Sequence, residues 1–256
     1  MKWIDTHCHL TFEPLFENVD FVLRRSRDAG VNRWITVGTD VDHSCKAVAM
    51  ARQHEGLYAT VGQHPHDAKD LDGDGLSILK ELTKKEKVVA VGETGLDFHY
   101  NMSPAAEQRQ AFSLQLKLAA DLGLPVVVHT REAFKDTMAV LDEIDSSLVG
   151  IVLHCFTGTA DQAKEALERG YFLSFTGVVT FKSADVIREA AQLVPMDRLM
   201  LETDSPYMSP EPMRKNRPNE PALMIHTARY LAELKQIPIE QFCQQVNTTS
   251  RAFFRI

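Results

Sequence analysis

The sequence contains no uninterrupted run of the roughly 18 apolar residues that a membrane span needs. It has little cysteine. Cys8, Cys45, Cys155 and Cys243 are scattered, and none forms a Cys-x-x-C pair. A chain of 256 residues builds a core without covalent staples, so these read as reduced thiols of a cytoplasmic protein. The N-terminal MKWIDTHCHL turns polar too early for a secretory signal. Thirteen Gly and 11 Pro are too few for a low-complexity or collagen-like chain. Positive charge is not in excess: 28 Lys+Arg face 35 Asp+Glu, a net charge of −7. That balance argues against coating nucleic acid or membrane by bulk electrostatics. What remains, at 44% hydrophobic and 25% charged, is the composition of an ordinary globular domain. The unusual count is histidine, of which there are 10.

Eight short β-branched or apolar runs recur: residues 2–7, 33–38, 57–62, 88–93, 125–130, 150–155, 171–176 and 198–203. Such runs read as buried strands. Helical stretches separate them. The clearest opens at Ser103-Pro104, read as N-cap and first helical position. Phe112, Leu116, Ala119 and Ala120 follow at helical spacing, and Gly123 and Pro125 end it. Further helices are expected over 161–169, 184–193, 221–234 and 240–254. Strict β–α alternation implies parallel strands with helical crossovers. Eight units in one chain predict an α/β fold, a (β/α)8 TIM barrel forming a single domain over 1–256. A doubly wound sheet is the alternative, but no Gly-x-Gly-x-x-Gly follows the first strand.

The strand ends carry the chemistry. The first ends in His7-Cys8-His9, the third runs into His64, and the fourth delivers Glu93 and Asp97. The fifth ends at His129, the sixth at His154, and Asp204 follows the eighth. In a strand, residues two apart share a face, so His7 and His9 form a chelating pair while Cys8 points away as a buried thiol. A closed barrel brings the others to the same C-terminal rim. Imidazole plus carboxylate suits Zn²⁺, Mn²⁺ or another divalent first-row metal, and the expected cofactor is two divalent ions, Mg²⁺, Mn²⁺ or Zn²⁺. Four His and two carboxylates exceed one tetrahedral ion, so two ions sharing a carboxylate fit better. Asp5 and Glu202 share parity with the ligand residues and either orient an imidazole or serve another buried partner. Asp97 is read as a loop cap. His43, His54 and His226 are expected on the surface, and His66 and His99 in rim loops.

Seven motifs, in order, resemble the TatD family of metal-dependent deoxyribonucleases. They are Ile4-Asp5-Thr6-His7-Cys8-His9-Leu10, Val61-Gly62-Gln63-His64-Pro65, Gly92-Glu93-Thr94-Gly95-Leu96-Asp97 and Val128-His129-Thr130-Arg131. They continue with His154-Cys155-Phe156-Thr157-Gly158, Leu201-Glu202-Thr203-Asp204-Ser205-Pro206 and Asn219-Glu220-Pro221. The resemblance covers essentially the whole chain. It implies His7, His9 and Asp204 on one metal, His129 and His154 on a second, and Glu93 bridging both. His64 is implied as a substrate or phosphate contact. The chain departs from a basic-Gly-basic pattern at Lys215-Asn216-Arg217-Pro218, although Asn tolerates the left-handed backbone better than most residues.

The resulting expectation is a hydrolase that cleaves DNA phosphodiester bonds with a metal-activated water, acting as a 3′–5′ exonuclease by resemblance. Asp204 takes the proton, Glu93 holds the ions apart and His64 completes the catalytic set. Arg131, Lys182, Lys215 and Arg217 form a phosphate cradle with His64. Phe98, Tyr100, Phe156 and Tyr207 are candidate base-stacking rings. DNA is the expected partner, bound locally by a monomer. The competing reading is an amidohydrolase-like hydrolase of small amides, lactones or esters, whose metals are often bridged by a carbamylated Lys where this chain has Glu93. A non-catalytic metal- or nucleic-acid-binding protein is disfavoured, because structural zinc sites are usually closed and Cys-rich whereas this set is His/carboxylate and faces a rim.

Overall fold

The structure is a computed structural model that describes residues 1–144 and 147–256. Its strands are β1 (Trp3–Cys8), β2 (Val31–Thr36), β3 (Leu57–Val61), β4 (Val88–Asp97), β5 (Val126–Arg131), β6 (Ile151–Leu153), β7 (Phe172–Phe175) and β8 (Leu199–Leu201). They form one sheet in sequential order β1 to β8. A parallel bridge between Cys8 and Ser205 returns the end of β8 to β1. Sequential parallel order closing on itself is the topology of the expected (β/α)8 barrel. The helices between are α1 (Val19–Asp28), α2 (Val41–Gln53), α3 (Gly73–Leu82), α4 (Ala105–Leu122), α5 (Phe134–Asp142), α6 (Ala160–Glu168), α7 (Asp185–Leu193), α8 (Met224–Leu234) and α9 (Ile239–Phe254). Among the described residues, no helix is long and apolar enough to cross a membrane.

The chain divides into two compact units. The first comprises 1–36 and 155–256. It buries Trp3, Trp34, Phe175 and Phe242, and the Trp34 indole N–H donates to Ser26 Oγ at 2.7 Å. Asn247 of α9 donates to the Lys2 carbonyl at 2.6 Å and fixes the entry to β1.

The second unit comprises 37–154. Its α4 turns Phe112, Leu116 and Ala119 into the core. Gln108 and Gln115, two turns apart on the same buried side, do a different job. The Gln115 amide accepts from the Gln63 N–H at 2.7 Å and donates to the Gln63 carbonyl at 3.0 Å and to Thr94 Oγ1 at 2.7 Å. The Gln108 amide accepts from the Asp97 N–H at 2.8 Å and donates to the Asp97 carbonyl at 3.1 Å. One helix therefore fixes the residues after β3 and the end of β4.

Two expectations need correction. Ser103 is not the N-cap of α4; Pro104 holds that position, with no side-chain cap. The Ser103 hydroxyl instead donates to the His66 carbonyl at 2.7 Å and accepts from the Lys69 N–H at 3.1 Å. A buried hydroxyl with two such partners is not available to a helix terminus. Second, β4 continues to Asp97, beyond the expected 93, because it pairs with β5 as far as Asp97 opposite Arg131. Gly95 permits this: its φ is +140°, and a Cβ there would run into the His129 carbonyl. The Gly123 expectation holds, with φ +61° at the C-cap of α4.

Candidate metal centre

In the first unit, β1 places His7 and His9 on one face, and their Nε2 atoms lie 3.2 Å apart. Asp204 Oδ1 lies 3.1 Å from His9 Nε2 and 3.7 Å from His7 Nε2. The loop after β8 is held against β1 by the Asp204 N–H on the His7 carbonyl (2.9 Å) and the His9 N–H on the Ser205 carbonyl (2.7 Å). Asp204 adopts φ +52°, a left-handed conformation that Asp tolerates better than most residues. Asp5 accepts from the Thr203 N–H at 3.0 Å, the Thr203 hydroxyl at 2.6 Å and the His7 N–H at 3.3 Å. It braces backbone rather than an imidazole. Glu202 accepts from the Cys155 N–H at 2.6 Å and the Ser174 hydroxyl at 2.7 Å. Cys8 is buried, with its Sγ 3.4 Å from the Ile35 carbonyl, as expected of a thiol facing away from the His pair.

In the second unit, Glu93 Oε1 is the meeting point. It lies 2.7 Å from His154 Nε2, 2.9 Å from His129 Nδ1 and 3.4 Å from His64 Nε2. Gly62 lets β4 approach closely enough, since a Cβ there would sit 2.7 Å from the Gly92 backbone. His129 Nε2 faces Asp97 Oδ2 at 3.2 Å, and His66 Nε2 faces the same oxygen at 2.9 Å. Asp97 Oδ1 accepts from the His99 and Tyr100 N–H groups at 3.0 and 2.8 Å, so the expected loop cap is present and has a second duty. Burial alone would raise the Asp97 carboxyl, but the bonds from His129, His66 and Tyr100 win and hold it well below the usual carboxylate range. Burial pulls His129 down, and its bonds to Asp97 and Glu93 outweigh that and raise it.

His64 differs from its neighbours. Burial pushes its imidazole down to about 4, so the ring is neutral. Its Nδ1 accepts the His66 N–H at 3.1 Å. In a neutral ring that accepts at Nδ1, the hydrogen sits on Nε2. His64 therefore presents its Nε2 as a donor toward Glu93.

The remaining atoms suit divalent ions. Groups that ligate one ion at about 2.0–2.2 Å lie roughly 3–3.5 Å from one another. The spacings among His7, His9 and Asp204, 3.1–3.7 Å, match that pattern. So do those among Glu93, His129 and His154, at 2.7–3.4 Å. Without an ion, the 3.2 Å approach of His7 Nε2 to His9 Nε2 needs one ring to donate its N–H to the other.

The predicted cations differ in exposure. Arg131 is half-buried at the end of β5, on the same face as His129. Lys182, Lys215 and Arg217 are exposed, and among the described residues none of their side chains bonds to either ligand set. Sequence reasoning missed Arg214, whose guanidinium lies 3.2 Å over the Phe181 ring. It also missed Phe12, stacked on His9 with centroids 4.8 Å apart. Of the four candidate aromatics, Phe156 is buried and Phe98 half-buried, while Tyr100 and Tyr207 are each 52% exposed. The Asn219-Glu220-Pro221 motif is structural here. Asn219 donates to the Thr203 and Tyr207 carbonyls at 3.0 and 2.6 Å, and Glu220 pairs with Arg25 at 2.6 Å.

Known proteins resemble the chain from end to end. The TatD-related DNase family matches residues 4–255. The chain is 38% identical over 252 residues to the metal-dependent hydrolase YabD of Bacillus subtilis, covering 98% of both proteins. It is 41% identical over 233 residues to the 3′-5′ ssDNA/RNA exonuclease TatD of Cronobacter sakazakii, covering 90% of this chain and 89% of that protein. The crystal structure of YJJV, a TatD homologue from Escherichia coli, superposes with a TM-score of 0.94 at 30% identity, covering 99% and 98% of the two chains. Sequence, fold and the histidine-carboxylate sets agree, and the chain belongs to the TatD-related DNase family of metal-dependent hydrolases.

Proposed function

We propose that this protein is a divalent-metal-dependent deoxyribonuclease that removes nucleotides from DNA in the 3′–5′ direction. The observation that carries the reading is that each unit gathers a ligand set: His129, His154 and the His64 donor on Glu93 in one, and His7, His9 and Asp204 in the other. In this reading, His7, His9 and Asp204 would hold one divalent ion and His129 and His154 a second, with Glu93 as the carboxylate common to both. Such ions lower the pKa of water and neutralise charge on a phosphoryl oxygen. Asp204 receives the proton of the attacking water. Glu93 fixes the ion spacing. His64, through Nε2–H, donates to a phosphoryl oxygen as charge builds on it. Arg131 takes the neighbouring phosphate, with Lys182, Lys215 and Arg217 as outer contacts. Residues 1–256 act as one TIM-barrel domain, in a cytoplasmic monomer.

The test is hydrolysis of 5′- and 3′-labelled DNA and RNA, with a panel of lactones and amides, after metal stripping and restoration with Mg²⁺, Mn²⁺ or Zn²⁺. The reading expects stepwise loss of 3′ nucleotides, abolished by chelation and by Asp204→Ala. Activity confined to lactones or amides would overturn it.

A further inference from the structure

We propose that Tyr100 and Arg131 form a subsite for one unpaired nucleotide, Tyr100 stacking on the base and Arg131 taking its phosphate. The proposal rests on the phosphodiesterase reading and adds what the enzyme recognises besides the backbone. The Arg131 guanidinium lies 4.7 Å from the Tyr100 ring centroid. Arg131 follows His129 by two residues on β5 and so shares its face. Among the described residues it pairs with no carboxylate, which leaves its charge for an anion. Tyr100 is 52% exposed, yet it is not a loose surface ring. Its N–H is anchored on Asp97 at 2.8 Å. The His66 and His99 rings meet it nearly perpendicularly, at 88° and 85° and at 5.4 and 4.8 Å. Neither is stacked on it.

The subsite adjoins the chemistry. His66 lies 4.3 Å from His64 by ring centroids, and His64 lies 4.6 Å from His129. Asp97 binds His129 with one oxygen and the Tyr100 backbone with the other, so one carboxylate positions both the shelf and a proposed ligand. A held, exposed aromatic ring with a guanidinium over one face suits a flat group covalently joined to an anion, which describes a nucleotide. A base inside a duplex is already stacked and paired. A single-stranded end offers a free one, whereas a small aliphatic lactone or amide offers nothing to stack.

The experiment compares wild type, Tyr100→Ala, Tyr100→Phe and Arg131→Ala, all metal-loaded. The substrates are a single-stranded oligonucleotide with 2-aminopurine at its 3′ end and the same oligonucleotide with an abasic 3′ nucleotide. Stacking quenches 2-aminopurine fluorescence and so gives a binding readout separate from turnover. We expect Tyr100→Ala to raise KM for the base-bearing substrate about tenfold and to lose the quench. Tyr100→Phe should retain both. On the abasic substrate, Tyr100→Ala should match wild type, and Arg131→Ala should weaken both substrates. An equal loss on both substrates, or no loss, in Tyr100→Ala overturns the shelf and leaves the phosphodiesterase reading standing. Wild-type protein that cleaves neither substrate overturns that reading and the shelf with it.

Discussion

Asp97 holds His129 from the side opposite Glu93. Its Oδ2 lies 3.2 Å from His129 Nε2, while Nδ1 faces Glu93 Oε1 at 2.9 Å. An imidazole that ligates through one nitrogen and donates to a carboxylate through the other has a fixed ring and a more basic ligand atom. Asp97→Asn keeps an oxygen to accept the His99 and Tyr100 N–H groups, so the loop should survive. Removing the charge should weaken metal affinity about 10–100-fold. Competition with a fluorescent chelator measures this, and unchanged affinity would show that Asp97 only caps the loop.

His64 stands 3.4 Å from Glu93 as a hydrogen-bond donor. His64→Ala should therefore lower kcat on DNA about 100-fold while the protein retains its full complement of ions. Elemental analysis alongside kinetics separates the two roles. Loss of an ion in this variant would make His64 a ligand.

Asn219 is buried, and its amide donates to two carbonyls in the segment that carries Asp204. Asn219→Ala leaves both carbonyls short of a partner and should destabilise the protein by about 1–3 kcal/mol in urea unfolding. A change below about 0.5 kcal/mol would show that the loop is held by other contacts.

Lys235 gives a pH signature away from the site. Its ammonium donates to the Val194 and Gln192 carbonyls at 2.6 and 3.1 Å, beside the C-terminal end of α7. Burial lowers its pKa from 10.5 to about 8. Between those values the unfolded chain binds more protons than the folded one, so this group adds stability as pH rises from about 8 toward 10.5. Wild type should gain stability relative to Lys235→Met over that interval in parallel thermal melts. A constant difference would contradict the shift.

The sequence shows some of this directly and hides the rest for physical reasons. Local signals carried the strand order, the shared face of His7 and His9 and the Gly123 cap, because each depends on periodicity or on one residue's backbone freedom. Partners distant in sequence were hidden. Asp97 reads as a loop cap because its bonds to His99 and Tyr100 are local, whereas its bond to His129 spans 32 residues. Ser103 carries an N-cap signature that a buried contact from another loop overrides. Gln108 and Gln115 look like polar helix residues, and only packing shows that they hold the end of β4 and the residues after β3. The tautomer of His64 follows from the N–H of His66, which no side-chain pattern displays.

Two sets of side chains are proposed to hold divalent ions. Crystals grown with Mn²⁺ and measured near its absorption edge test this directly. Two anomalous peaks are expected, one within bonding distance of His7, His9 and Asp204 and one within bonding distance of Glu93, His129 and His154. A map in which either set is empty would contradict it.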